Sequence, residues 1–251
     1  MSTPTFDTRL AATLALQVAE QIGKAILEER LQPGERIREV ELATAFTVSR
    51  ATIREALRIL QQRGLVRIVP QRGATVTQLS LAELQNLFEI RSVLLGLASR
   101  RAARQFQAPQ RARLQQGLVA LRQAQGDPEA YIAASRQMVH LLVELSGNPQ
   151  LGQIIQEYAE RIGRYVRRGL SDPRRHKLSL QTWRELVEAV CARDEVAAET
   201  IHRRLADDNR DAAMALIVAQ SEPSLQVAPA ARKPRRARPV PAGPATTTRI
   251  L

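Results

Sequence analysis

The chain has 251 residues, enough for one or two domains around a sizeable buried core. Its 37 Lys and Arg outweigh 25 Asp and Glu, and the net charge of +12 points to a polyanionic partner, nucleic acid before membrane. A lone cysteine, Cys191, excludes an intrachain disulfide and any cysteine-rich zinc site, and the apolar runs are too short to span a bilayer. The opening MSTPTFDTRL lacks the apolar core of a signal peptide, so a cytoplasmic, nucleoid-associated protein without membrane attachment is expected.

In chain order, Leu14, Val18, Ile22 and Ile26 recur at helical spacing up to the turn signal Gln32-Pro33-Gly34-Glu35. A short helix is expected from Glu39 to Ala45, then a three-residue turn, Thr47-Val48-Ser49. Ser49 suits the N-cap of the next helix, and Gly64 suits its end. That helix, SRATIREALRILQQRG, carries Arg50, Arg54 and Arg58 in a row opposite an apolar stripe of Ile53, Ala56, Leu57 and Leu60. Alone, such a helix reads as an ordinary solvated face. The next stretch, LVRIVPQRGATVTQL, alternates in polarity and turns at Gln71-Arg72-Gly73, which predicts a hairpin. Helix, helix, turn, helix, hairpin is the order of a winged helix-turn-helix, whose third helix enters the DNA major groove.

From Leu81 onward the period stays helical. Six helices are predicted, over 81–106, 108–125, 127–146, 149–170, 174–193 and 195–219. Gly126-Asp127-Pro128, Gly147-Asn148-Pro149 and Ser171-Asp172-Pro173 mark three of the breaks, and an antiparallel bundle follows. The last 31 residues hold six prolines and a basic run at Arg232–Pro239, the composition of a disordered tail suited to non-specific phosphate contact. The expected fold is thus mainly α. A winged helix-turn-helix occupies 1–79, an all-α antiparallel bundle 80–220, and the tail 221–251.

Three blocks, AILEERLQPGERIREVELA, VSRATIREALRILQQRGLV and PQRGATV, resemble the GntR family of bacterial transcription regulators in order and spacing. The helical part, through LFEIRSVLLGLASRRAA, HLLVELSGNPQL and LVEAVCARDEVAA, resembles the FCD effector domain of the FadR branch, in its shorter, six-helix, VanR-like version. The resemblance implies DNA contacts from Ser49, Arg50, Thr52 and Arg54, with Arg72 and Gly73 at the tip of the wing. The chemistry agrees: arginines can fork onto guanine or phosphate, and Gly73 permits a tight turn. Val40 stands where several relatives carry an arginine, so that contact is missing.

FCD relatives commonly hold a divalent metal with one carboxylate and three imidazoles. Here the carboxylate position is Arg136, the first imidazole survives as His140, and the other two positions are Trp183 and Leu205, with Ala189, Asp194 and Ala198 fixing the register. His176 is read as a loop residue and His202 as off register, leaving His140 as the only imidazole available. No metal or other cofactor is expected. Periodicity puts Tyr131, Ser135, Met138, Leu142 and Leu145 on the buried stripe of this helix and Arg136 and His140 nearly opposite, on a solvated face. A register that places Ser135 and Val139 at the ligand positions also fits. Alternatively the family's His-bearing face looks into a cavity, where Arg136 would bind a carboxylate in the metal's stead, walled by Trp183 and Leu205, with Arg91 as a further contact. Cys191 reads as a small buried hydrophobe. The expected protein is a homodimeric regulator, a repressor before an activator, that binds a pseudo-palindromic double-stranded operator and senses a small organic acid. A ligand-independent DNA-binding scaffold with a filled cavity is the alternative. A metal-dependent enzyme lacks any nucleophile–base constellation.

Overall fold

The computed structural model describes residues 13–71 and 73–221, without the side chains of residues 220 and 221. Helix α1 (Leu14–Leu27) starts at Thr13, whose Oγ1 accepts the Leu16 N–H at 3.2 Å. It is followed by β1 (Arg36–Ile37), α2 (Glu39–Phe46), α3 (Arg50–Gln62), β2 (Val66–Val69) and β3 (Gly73–Val76). Ser49 caps α3 as its sequence predicts, accepting the Thr52 N–H at 3.1 Å. The stripe Ile53, Ala56, Leu57 and Leu60 is fully buried against Val18, Ile22 and Ile26 of α1. Leu14 does not join it and stays 54% exposed in the first turn of α1.

The three strands form one antiparallel sheet in the order β1-β3-β2, with Val69 opposite Gly73 at the tip of the hairpin. Gln71 and Gly73 turn through positive φ, 63° and 87°, and Arg72 lies outside the described residues. Strand β1 is an addition to the expected hairpin. It pairs Ile37 with Ala74 and buries Ile37, but two residues are too few to show an alternation in sequence.

The bundle consists of α4 (Leu81–Gln105), α5 (Gln110–Gln123), α6 (Pro128–Leu145), α7 (Pro149–Gly169), α8 (His176–Cys191) and α9 (Glu195–Ser221). The segment expected as one helix from 174 is split, with a 3₁₀ turn at Pro173–Arg175 before α8. Side-chain caps set the starts: Ser80 and Glu83 form a capping box, and Asp127, Asn148 and Asp194 each accept a backbone N–H three residues on. Helices α4 and α9 run along each other as the spine, and the main core gathers Leu114, Leu121, Tyr131, Met138, Leu142, Trp183 and Leu186. Helix α7 carries the N-terminal elements. Leu27 packs over Gly163, Arg168 pairs with Glu29 at 2.7 Å, and buried Arg164 donates to the carbonyl of Thr77. Arg63, the C-cap of α3, reaches Glu160 at 3.8 Å.

Where α7 ends, it presses on α9. A Cβ on Gly169 would stand 2.5 Å from the backbone oxygen of Asn209, which cannot swing aside as a side chain could. Gly169→Ala should therefore destabilise the protein by roughly 1–3 kcal/mol, against the modest gain that alanine usually brings to a helix. Urea unfolding measures this. A midpoint that is unchanged or raised would contradict the close approach of the two helices.

Candidate nucleic-acid interface and interior cavity

Burial of the apolar stripe leaves the other face of α3 outward, so Arg50, Arg54 and Arg58 are exposed along one line. Arg54 donates its Nε–H to Glu39 at 2.9 Å, Arg50 Nη2 lies 3.9 Å from the same carboxylate oxygen, and Arg58 pairs with Glu55 at 3.2 Å. The hydroxyls of Ser49 and Thr52 lie 2.9 Å apart at the helix start, which holds the cap side chain in place. Val40, one residue after Glu39, is 58% exposed. The N-terminal part of α3 thus offers two guanidinium groups and a short threonine, with Val40 exposed on α2 and Gly73 at the wing turn.

The bundle encloses a cavity of about 280 Å³ between α4, α6, α7, α8 and α9. All five residues singled out from sequence line it: Arg91, Arg136, His140, Trp183 and Leu205. Their roles differ. Trp183 is 3% exposed and forms a wall, whereas Arg136 and His140 are exposed at the rim, so solvated face and cavity lining are both true of them. Ser135 and Val139, one residue earlier on α6, reach the interior, and the buried Ser135 Oγ has no hydrogen-bond partner among the described residues. Arg91 lines the cavity half-buried, and desolvation there pushes its pKa down to about 10. It remains a cation at neutral pH. No carboxylate among the described residues pairs with it.

The readings of the other two histidines are corrected. His202 is buried in the cavity wall, its Nδ1 2.6 Å from Ser99 Oγ and its ring 5.5 Å from Trp183, so His140 is not the only imidazole available there. Burial, and then the charge of Arg91, push the His202 pKa down to about 3, and the ring is neutral. His176 is not a loop residue; it opens α8. Stacked 4.1 Å from Tyr131, it accepts the Gly126 N–H at 3.3 Å and reaches the Leu170 carbonyl at 2.9 Å, a structural clamp outside the cavity. Asn209, also buried and lining the cavity, leaves Oδ1 without a partner among the described residues. Nothing in its local pattern marks it, because its place depends on how α9 lies against α7.

Comparison with known proteins now bears on these two sites. The family of bacterial regulatory proteins called GntR matches residues 14–76, and the FCD domain matches residues 86–208. The chain belongs to the GntR family. It is a DNA-binding regulator of that family with an FCD-like effector domain. It is 29% identical over 187 residues to the helix-turn-helix regulator YdhC of Bacillus subtilis (strain 168), covering 73% of this chain and 84% of that one. Over 116 residues it is 34% identical to the transcriptional repressor RspR of Escherichia coli (strain K12), which covers 45% of this chain and 51% of the repressor. The solved structure of E. coli McbR/YncC has the same fold, with a TM-score of 0.69 at 24% identity over 84% of this chain and all of that one.

Against the FCD metal pattern, the residues of this GntR-family regulator do not fit. In either register open on α6, Arg136 with His140 or Ser135 with Val139, the pair stands with Trp183 and Leu205 and does not make up one carboxylate and three imidazoles, and His202 has one ring nitrogen tied to Ser99. Three arginines, Arg91, Arg136 and Arg175, line the same space and repel a cation. Among the described residues there is no group of three or more His, Cys, Asp or Glu able to hold a metal ion.

The neutral His202 has a measurable consequence. Below its ordinary value of 6.5 the unfolded chain takes up a proton that the folded protein refuses until about pH 3. Stability should therefore fall as pH drops from 6.5 toward 3, by up to about 1.4 kcal/mol per pH unit from this group. In His202→Gln that component should vanish from urea unfolding curves taken between pH 7 and 4.5. An identical pH dependence in both proteins would show that the ring is free to charge.

Proposed function

We propose that this protein is a dimeric repressor that reads a pseudo-palindromic operator and releases it when a small carboxylic acid enters the bundle cavity. The observation that carries this reading is Arg91: a half-buried guanidinium lining the cavity with no acidic partner among the described residues. An unpaired interior charge is costly, and an anionic ligand is the partner that offsets the cost. Arg136 and His140 at the rim add positive and hydrogen-bonding groups, while Trp183, Leu205, Ile132 and Val143 suit an apolar body. The unpaired Ser135 Oγ and Asn209 Oδ1 suit a hydroxyl on it. The exposed rim argues against the alternative of a sealed scaffold.

DNA contact is assigned to Ser49, Arg50, Thr52, Arg54, Arg72 and Gly73, with reading by α3 and the wing. Boundaries at 1–79 and 80–220 fit this division of labour. The six helices α4–α9 support placement in the FadR branch, in its shorter VanR-like form. Ile90, Val93 and Leu97, exposed on α4 at helical spacing, give a second copy an apolar face to cover. The basic tail lies outside the described residues and is assigned non-specific affinity. Coupling runs through α7. Leu27 of α1 lines the cavity beside Gly163, and Glu160 both lines it and pairs with Arg63 of α3. A ligand that displaces α7 moves the seat of the reading helix, and a coupling of a few kcal/mol is enough.

Thermal-shift measurements with a panel of small carboxylic acids test the cavity, with operator release as the second readout. Arg91→Ala and Arg136→Ala should each weaken an active acid by about one to two decades, the worth of charge-assisted hydrogen bonds. DNA affinity without acid should stay unchanged. Equal stabilisation of all three proteins, or activity only from uncharged compounds, would sink the reading and favour the scaffold.

A further inference from the structure

The reading helix does not stand alone. Glu39 is the first residue of α2, where the positive end of the helix dipole favours a carboxylate, and it reaches across to α3. A single oxygen, Oε2, takes the Arg54 Nε–H at 2.9 Å and faces Arg50 Nη2 at 3.9 Å. The carboxylate is the sheltered member of the trio. Its side chain is 26% exposed, against 60% for Arg50 and 58% for Arg54. An ion pair at a surface is ordinarily worth little. This one differs because both of its cations are the arginines that face the groove.

The atoms used matter. Arg54 gives Glu39 its Nε–H, so the two terminal nitrogens of the fork remain for a second acceptor. Guanine offers O6 and N7 side by side, which two such nitrogens can meet together. A guanidinium already fixed along one edge loses less freedom when it docks, and it docks in one orientation. The same carboxylate disfavours loose binding, because it lies within a screening length of any phosphate that Arg50 or Arg54 could touch. Fixing the fork and repelling the backbone act in the same direction.

We propose that Glu39 is a positioning residue for sequence discrimination: it aims Arg54 at a base edge and penalises phosphate-only contact by α3. This rests on the reading of α3 as the helix in the major groove, and the test separates the two.

The specific duplex is first selected from a randomised pool with the full-length wild-type protein. Affinity is then measured for that duplex and for a random-sequence duplex of equal length, at one salt concentration. The proteins compared are wild type, Glu39→Gln, Arg54→Ala and the double variant. Glu39→Gln, nearly isosteric, should lower the specific-to-random ratio about tenfold, the low end of what one bidentate arginine–guanine pair provides. Part of that fall should come from tighter binding to the random duplex. The base preference lost should be the one lost in Arg54→Ala, and the double variant should lose no more than Arg54→Ala alone. Glu39→Ala replaces the glutamine variant if melting shows the latter unfolded. An unchanged ratio in Glu39→Gln, when Arg54→Ala lowers it, overturns the proposal and leaves the α3 reading standing. Additive losses in the double variant overturn it too, because Glu39 would then act apart from Arg54. A ratio untouched by Arg54→Ala removes the α3 reading and the proposal together.

Discussion

Helix α7 is the constraint on which the rest of the arrangement depends, because it must satisfy two neighbours at once. Ile155, Ala159, Gly163 and Val166 line the cavity, while Arg161, Arg164 and Arg168 hold the N-terminal elements. Leu27 belongs to both contacts. Close-packed interiors do not stretch, so the cavity wall and the seat of the N-terminal elements share one stiff helix. The glycines make the double duty possible. Gly163 admits Leu27, and Gly169 lets α9 approach to backbone contact. A bulkier residue at either place would separate the elements and loosen any link between cavity and reading face.

On α3 the constraint is simpler. Thirteen residues supply an apolar stripe and a basic row at helical spacing, and burying the first forces the second outward. Four fully buried side chains on one short helix fix its rotation about its axis, since turning it would expose them at a cost of about 1.5–3 kcal/mol for each large one. The outward orientation of Arg50 and Arg54 is thus a by-product of core packing. What packing does not fix is the guanidinium itself, and there Glu39 supplies the missing restraint.

The cavity is distinguished by the cations on its wall. Arg91, Arg136 and Arg175 line it together with Trp183 and Leu205, so the positive charge is built into the protein. Two sites of different exposure share that charge. Arg91 is half-buried and near neutral His202, whereas Arg136 is exposed at the rim beside His140. An anion entering past the rim meets a shallow, screened attraction first and a deeper one inside, where the lower dielectric strengthens it.

By itself the sequence determined the local order: the Ser49 cap, the arginine row, the wing turn and the six bundle helices with their Asp, Asn and Pro starts. These are short-range matters, set by spacing, capping chemistry and backbone freedom within a few residues. Trp183 on α8 could be picked out by counting along a single helix, but on α6 two registers stayed open until packing put Ser135 and Val139 inward and Arg136 and His140 at the rim. Only the tertiary structure decided the rest. Strand β1 exists because Ile37 finds Ala74 across the sheet, and two residues carry no pattern of their own. His202 and Asn209 reach the cavity because of how α9 is rotated against α4 and α7, which no periodicity within α9 specifies. Glu39 meets Arg54 fifteen residues away through the angle between α2 and α3. Each of these depends on the relative placement of elements, which is set by the summed packing of many side chains and written in no single stretch of the chain.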